Sequence, residues 1–167
     1  RWPELLDLAP KPLLYHGRND GSEPMDDCPQ RRLRGWKRLV LFATCLKPQA
    51  VDQVWRRFPF RWRSGWEQDF AAISRGGQLR VAPILEDLVF PRQRPLMAQW
   101  LRRCAQLPVQ QLVPAHFDAP IACTPDQLSA LADAWEQQDQ PAAELQDRAF
   151  LRAFNRQVER FGLVPKP

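Results

Sequence analysis

The spacing of apolar side chains along the chain reads mostly as helix. Leu33, Trp36, Leu39, Val40, Ala43 and Leu46 recur at close to 3.6 residues, after a turn where Asp26 or Asp27 can cap and Pro29 falls in the first turn. Arg31, Arg32, Arg34, Lys37 and Arg38 make the other face, and Lys47-Pro48 should stop the helix. Residues 50–58 read as a shorter helix. Ser64-Gly65-Trp66-Glu67 has the form of a capping box, opening a helix that buries Trp66, Phe70 and Ile73 and ends at Gly76-Gly77. The run 79–89 fits a strand or a helix, and Pro83 at a first helical position favours helix over 84–90. Leu96, Met97, Trp100, Leu101, Cys104 and Leu107 predict an amphipathic helix closed by Pro108. Two more use Leu128, Leu131 and Trp135, then Leu151, Phe154, Val158 and Phe161, with Gly162 at the end. No internal repeat is evident.

Strand signals are scarce. Residues 109–113 are the one convincing strand, and 12–16 read as a short strand or an extended turn after a proline-flanked lead-in over 1–10. Beyond 109–113 the chain runs Pro114-Ala115-His116-Phe117-Asp118, then Thr124-Pro125-Asp126-Gln127. Thr124 can cap, Pro125 suits the first helical position, and Gln127 can reach back. Strand, loop with histidine and carboxylate, then capped helix is how α/β enzymes place chemistry at the carboxyl end of a strand. A lone histidine after a strand is more often a structural hydrogen-bonder than a ligand, and that reading stands beside the chemical one. A single parallel-type strand needs neighbours for its backbone groups. The inventory therefore reads as α/β, with 1–167 a single partial domain whose upstream half is missing.

Composition changes this little. Hydrophobic residues at 44% and charged residues at 26%, with seven Trp and nine Phe, suit one globular domain with an ample core. No run approaches the ~18 apolar residues of a membrane span. No leader is visible, although the first residue is Arg1 rather than Met. Cys28, Cys45, Cys104 and Cys123 lack zinc-knuckle spacing, so buried reduced thiols are expected, which suits the cytoplasm or a plastid stroma. The net charge of +5 is carried mostly by arginines concentrated at 31–38 and 56–63.

Several segments together resemble a family of cyanobacterial and plastid proteins, a domain of unknown function with a metallo-β-lactamase-like fold. They are Pro12-Leu13-Leu14-Tyr15-His16-Gly17-Arg18-Asn19-Asp20, Arg32-Leu33-Arg34-Gly35-Trp36-Lys37-Arg38-Leu39-Val40-Leu41-Phe42-Ala43, Phe58-Pro59-Phe60-Arg61-Trp62, Val81-Ala82-Pro83-Ile84-Leu85, and Val113 through Ile121. The likeness covers nearly the whole chain and only the C-terminal half of such proteins. It implies the helix-rich C-terminal half of an αββα sandwich with few short strands, from a degenerate or atypical hydrolase relative. In active members of that fold the first half supplies a His-x-His-x-Asp-His motif and a terminal His follows a later strand. His116 is placed like that terminal His, with Asp118 beside it. The other ligands have no counterpart here, so zinc or another divalent metal is expected only in a longer protein.

From the residues upward, catalytic zinc needs about three protein ligands and an open position. His116, Asp118, His16 and the acidic loop 20–27 are the candidates. The strand at 109–113 is expected beside 11–15, which would bring His16 and His116 to one side. Cys123 with His116 is a conceivable nucleophile pair, although Cys123 stands just before a helix cap. No nucleophile elbow, dinucleotide loop or Walker sequence is present. The alternative function is a nucleic-acid- or protein-binding module. Residues 55–63 interleave Arg56, Arg57, Arg61 and Arg63 with aromatics that include Trp62, a composition suited to stacking on bases and contacting phosphates. Arginine stems lying on aromatic faces are also ordinary surface packing. Half a sandwich would leave an uncovered apolar face, so self-association through it is expected.

Overall fold

The computed structural model describes residues 10–52, 61–114, 120–137 and 146–165. Among them stand six α-helices: α1 (Pro10–His16), α2 (Pro29–Cys45), α3 (Trp66–Ser74), α4 (Arg94–Cys104), α5 (Pro125–Gln137) and α6 (Ala149–Arg160). Two short strands, β1 (Gln111–Leu112) and β2 (Ile121–Ala122), pair antiparallel, Gln111 opposite Ala122 and Leu112 opposite Ile121. The chain is helix-rich and compatible with an α/β class. The strand expected over 109–113 exists only at its centre. Its partner is β2 and not 11–15, which is helical.

Residues 12–16 were expected to be extended. Prolines at 10 and 12 instead fall in the first turn of α1, where backbone N–H groups have no intrahelical acceptor and proline removes nothing. α1 packs on α2, and glycine sets the distance between them. A Cβ on Gly35 would overlap the Leu13 carbonyl. Position 35 thus lies under α1, and the buried stripe of α2 runs through Gly35, Arg38, Val40, Leu41, Thr44 and Cys45. Arg38 does not belong to a solvated basic face. Neither aspartate caps α2: Cys28 holds the cap position without a side-chain bond, and Asp27 takes Arg32 in a two-point ion pair at 2.6 and 2.7 Å.

Two apolar clusters form the interior. The first joins Leu41 and Cys45 to Ala50, Val51, Trp62, Trp66 and Ile73. Val51 bridges to Trp62 in antiparallel fashion, with the Arg63 amide donating to Ala50 and the Asp52 amide to Arg61. The helix expected over 50–58 is therefore a turn at Ala50, a bridge at Val51 and a bend at Asp52, and 53–60 lie outside the described residues. Ser64-Gly65-Trp66-Glu67 forms no capping box, because Gly65 takes the cap position at φ 100° with no side-chain bond. The end of α3 is as expected, unwinding through Arg75, Gly76 and Gly77 at positive φ.

The second cluster gathers Val81, Ala98, Leu101, Cys123, Leu128, Ala132 and Trp135 as α4 packs along α5. The capping box of α5 is present in both directions. The Thr124 amide donates to Gln127 Oε1 at 2.8 Å, and the Gln127 amide donates to Thr124 Oγ1 at 3.3 Å. Leu96, Trp100 and Leu107 of the α4 pattern face solvent, as do Phe161 and Leu163. All four cysteines are free thiols.

Replacing Gly35 by alanine should destabilise the chain by about 3 kcal/mol, because α1 must lift off α2 to admit one methyl group. Urea unfolding followed by far-UV circular dichroism measures it, and a change below 1 kcal/mol would mean that the helices separate freely.

Candidate functional site: two clefts either side of Glu86

Pro83 opens a turn that widens over Leu85–Val89 into a single π-helical turn, closed by the Phe90 amide on the Leu85 carbonyl at 2.8 Å. Such insertions are frequent at functional sites. Here the turn carries two adjacent carboxylates, Glu86 and Asp87, both buried. α6 packs on it and brings Arg148, which is fully buried at its head. Arg148 Nε donates to Asp87 Oδ2 at 2.6 Å, and another of its nitrogens lies 2.6 Å from Glu86 Oε2. Arg80 approaches that same Glu86 oxygen at 3.7 Å, and Arg152 Nε stands 3.6 Å from Asp87 Oδ1. Burial raises the Glu86 carboxyl above its usual range, against the opposing pull of Arg148 and Arg80.

Glu86 lines two clefts. The larger, of about 490 Å³, lies between the 75–81 segment, β2 and α5. Leu79, Val81, Ile121, Leu131 and Trp135 give it an apolar lining, and Arg75 and Arg80 bring positive charge. The smaller, of about 320 Å³, lies on the α6 side, lined by Glu86, Asp87, Arg94, Arg152, Asn155 and Arg156. The larger falls within the ~300–1,000 Å³ common for small-molecule sites. Cys123 also lines it, but burial raises that thiol above its ordinary value, the opposite of what a nucleophile needs.

Of the residues singled out in the sequence, Cys123 lines this site, and His16, Arg61, Trp62 and Arg63 are not among its lining residues. His116 and Asp118 lie outside the described residues, as do Arg56 and Arg57. His16 ends α1 and is buried; its carbonyl accepts from Arg38 at 3.2 Å. Arg38 also donates to the Arg18 carbonyl at 2.7 Å and to Asn19 Oδ1 at 2.8 Å. Burial first, and then the Arg38 charge, lower the imidazole to about 4, so it is neutral at physiological pH. A metal ion at His16 would sit beside that guanidinium, and no group of three or more His, Cys, Asp or Glu among the described residues could hold one. His16 therefore lacks the further ligands of a zinc centre among the described residues.

Trp62 is buried, with Arg38 over its ring at 5.4 Å and Trp66 edge-on at 6.3 Å. That packing removes it from any base-stacking platform. Arg63 pairs with Asp52, and Arg61 is exposed. Sequence reasoning missed Glu86, Asp87 and Arg148. The available signals were an acidic pair inside an apolar run and arginines at four-residue spacing from 148 onward.

His16 ties stability to pH. Its folded value lies below the ordinary 6.5, so its contribution is complete above pH 6.5 and is lost as pH falls towards 4. Between pH 7.5 and 5.0 unfolding free energy should drop by about 2 kcal/mol on this account. In His16→Gln the difference should shrink by that amount; an unchanged pH dependence in denaturant titrations would show that the imidazole is not desolvated.

No curated protein matches this chain, and no solved structure matches it. A model of the family described as Domain of unknown function (DUF4336) matches residues 1–134. With 134 of 167 residues under that model, the chain belongs to the DUF4336 family.

Proposed function

We propose that the chain is a ligand-binding member of a degenerate hydrolase lineage with a metallo-β-lactamase-like fold, and that its ligand is an amphipathic organic anion taken in the larger cleft. The observation that carries the reading is the pairing of an apolar lining with Arg75 and Arg80 in one cleft closed on one side by Glu86. An apolar or aromatic body would lie against Leu131 and Trp135, and its anionic group would meet a guanidinium. Catalysis is a poorer fit. A general base needs an oxygen within reach of a substrate proton, whereas the ion pair with Arg148 engages Glu86 from behind. The fold assignment is supported by the order of motifs along the chain. It is also supported by the shortage of strands: β1 pairs only with β2 among the described residues.

The fluorescent dye 8-anilinonaphthalene-1-sulfonate has the chemistry the cleft should take. Titrated into the folded protein, it should bind with one-to-one stoichiometry. Ala134→Trp, which fills the cleft, should abolish binding, and Arg75→Ala should weaken it several-fold. Multisite binding insensitive to Ala134→Trp would sink the proposal.

The degenerate-hydrolase reading has its own test. After incubation with zinc and dialysis, metal analysis should find well under one equivalent per chain, since a first shell of about three ligands has to be assembled. One equivalent that survives dialysis and disappears in His116→Ala would restore a metal centre.

A further inference from the structure

Arg148, Arg152, Arg156 and Arg160 stand at four-residue intervals on the last helix, which sets them along one flank of it. They grade from burial to solvent. Arg148 is fully buried, the Arg152 side chain is 32% exposed, and Arg156 is exposed at the smaller cleft. The cleft therefore has a charge gradient from its back wall to its mouth.

The two carboxylates at the back are already engaged by Arg148, at 2.6 Å each. Arg94, Arg152 and Arg156 line the space in front of them. With Arg80 also at Glu86, five guanidinium groups surround two carboxylates, and Arg94, Arg152 and Arg156 leave the space in front with a surplus of positive charge. Arg156 makes no ion pair with any described residue. Arg94 is held ready: one nitrogen donates to the Trp135 carbonyl at 2.9 Å, another to the Glu86 carbonyl at 3.4 Å, and the guanidinium lies over the Trp135 ring at 4.9 Å from its centre. An arginine fixed in this way loses little side-chain freedom on meeting an anion. The nearby Arg92 is occupied, by Glu159 and Asn155, so it does not contribute to the surplus.

We infer that this cleft is a binding site for the phosphoryl group of a small phosphomonoester. A phosphomonoester carries close to two negative charges at neutral pH and presents three acceptor oxygens to planar, forked donors. A dianion with forked acceptor oxygens compensates more of that surplus, and engages more of the guanidinium donors, than a single carboxylate does. Arg152 and Arg156 both stand beyond residues 1–134, so the matched domain alone does not complete the site.

The test titrates glycerol 3-phosphate and inorganic phosphate into the protein by calorimetry at fixed ionic strength, with acetate and chloride as controls. Both phosphates should bind with one-to-one stoichiometry, and acetate should bind at least tenfold more weakly. Arg156→Ala, an exposed position with no ion pair to lose, should cost about tenfold in phosphate affinity. Arg156→Glu should abolish binding, and Arg156→Lys should recover part of it. Circular dichroism of each variant checks that the fold is intact. If Arg156→Ala does not fold, Arg152→Lys takes its place, with weakened phosphate binding expected. Ala134→Trp, which fills the other cleft, should leave phosphate binding unchanged, so failure of the larger site and failure of this one are read separately. Phosphate affinity equal to that for acetate, or untouched by every arginine substitution, would overturn the assignment.

Discussion

The fold turns on one fully buried guanidinium. Arg148 bridges the consecutive carboxylates Glu86 and Asp87. Its neighbour Asp147 accepts the Gln49 amide at 2.7 Å, and Arg80, at the same carboxylate, donates to the Ile73 carbonyl at 3.0 Å. Residues 147 and 148 thereby reach the segment after α2 and the π-helical turn, and Arg80 ties that turn to the end of α3. Apolar packing tolerates small slips, but a buried ion pair does not. Desolvation has been incurred on both partners, and leaving either one alone costs ~3–5 kcal/mol. The junction therefore fixes how these segments register, whatever its net contribution to stability.

Arginine plays the same part elsewhere. Arg38 sits under the 16–19 turn, bonded to two carbonyls and one side-chain amide, with Trp66 at 4.7 Å beneath it. Burial lowers even this guanidinium, to about 10, and it stays charged because carbonyl dipoles and indole faces replace its water. A positive balance on this chain is thus a poor guide to a polyanionic partner. Several of the cations that composition counts are interior struts.

What the sequence revealed divides along physical lines. Helices α3, α4, α5 and α6 were legible because each has a periodic apolar face and local stop or start chemistry. The box at Thr124 and Gln127 involves neighbours three residues apart and needs nothing from the rest of the chain. The matching pattern at Ser64 failed because Gly65 in a left-handed conformation set the backbone instead. α1 was misread because its prolines look like strand or turn residues until one places them in the first turn. The basic face of α2 was misread for another reason: periodicity shows which side chains share a face, not how many faces are covered. α2 has α1 on one side and α3 on another, so Arg38 is buried where a single-sided helix would have exposed it.

The site was the least legible part, because its members are 61 to 66 residues apart in sequence: Glu86 and Asp87 on a turn, Arg148 and Arg152 at the start of a later helix. Histidine chemistry announces itself by residue type, whereas a carboxylate–guanidinium junction is made of the commonest surface residues and gains meaning only from burial. His16 is held as a neutral ring beneath a cation. Glu86 has a raised carboxyl but lies against the arginine that would have to release it before it could take a proton from anything else. A carboxylate so placed shapes the field of a cleft more readily than it moves protons. Its charge keeps Arg148 in position, and Arg94, Arg152 and Arg156 line the cleft in front of it.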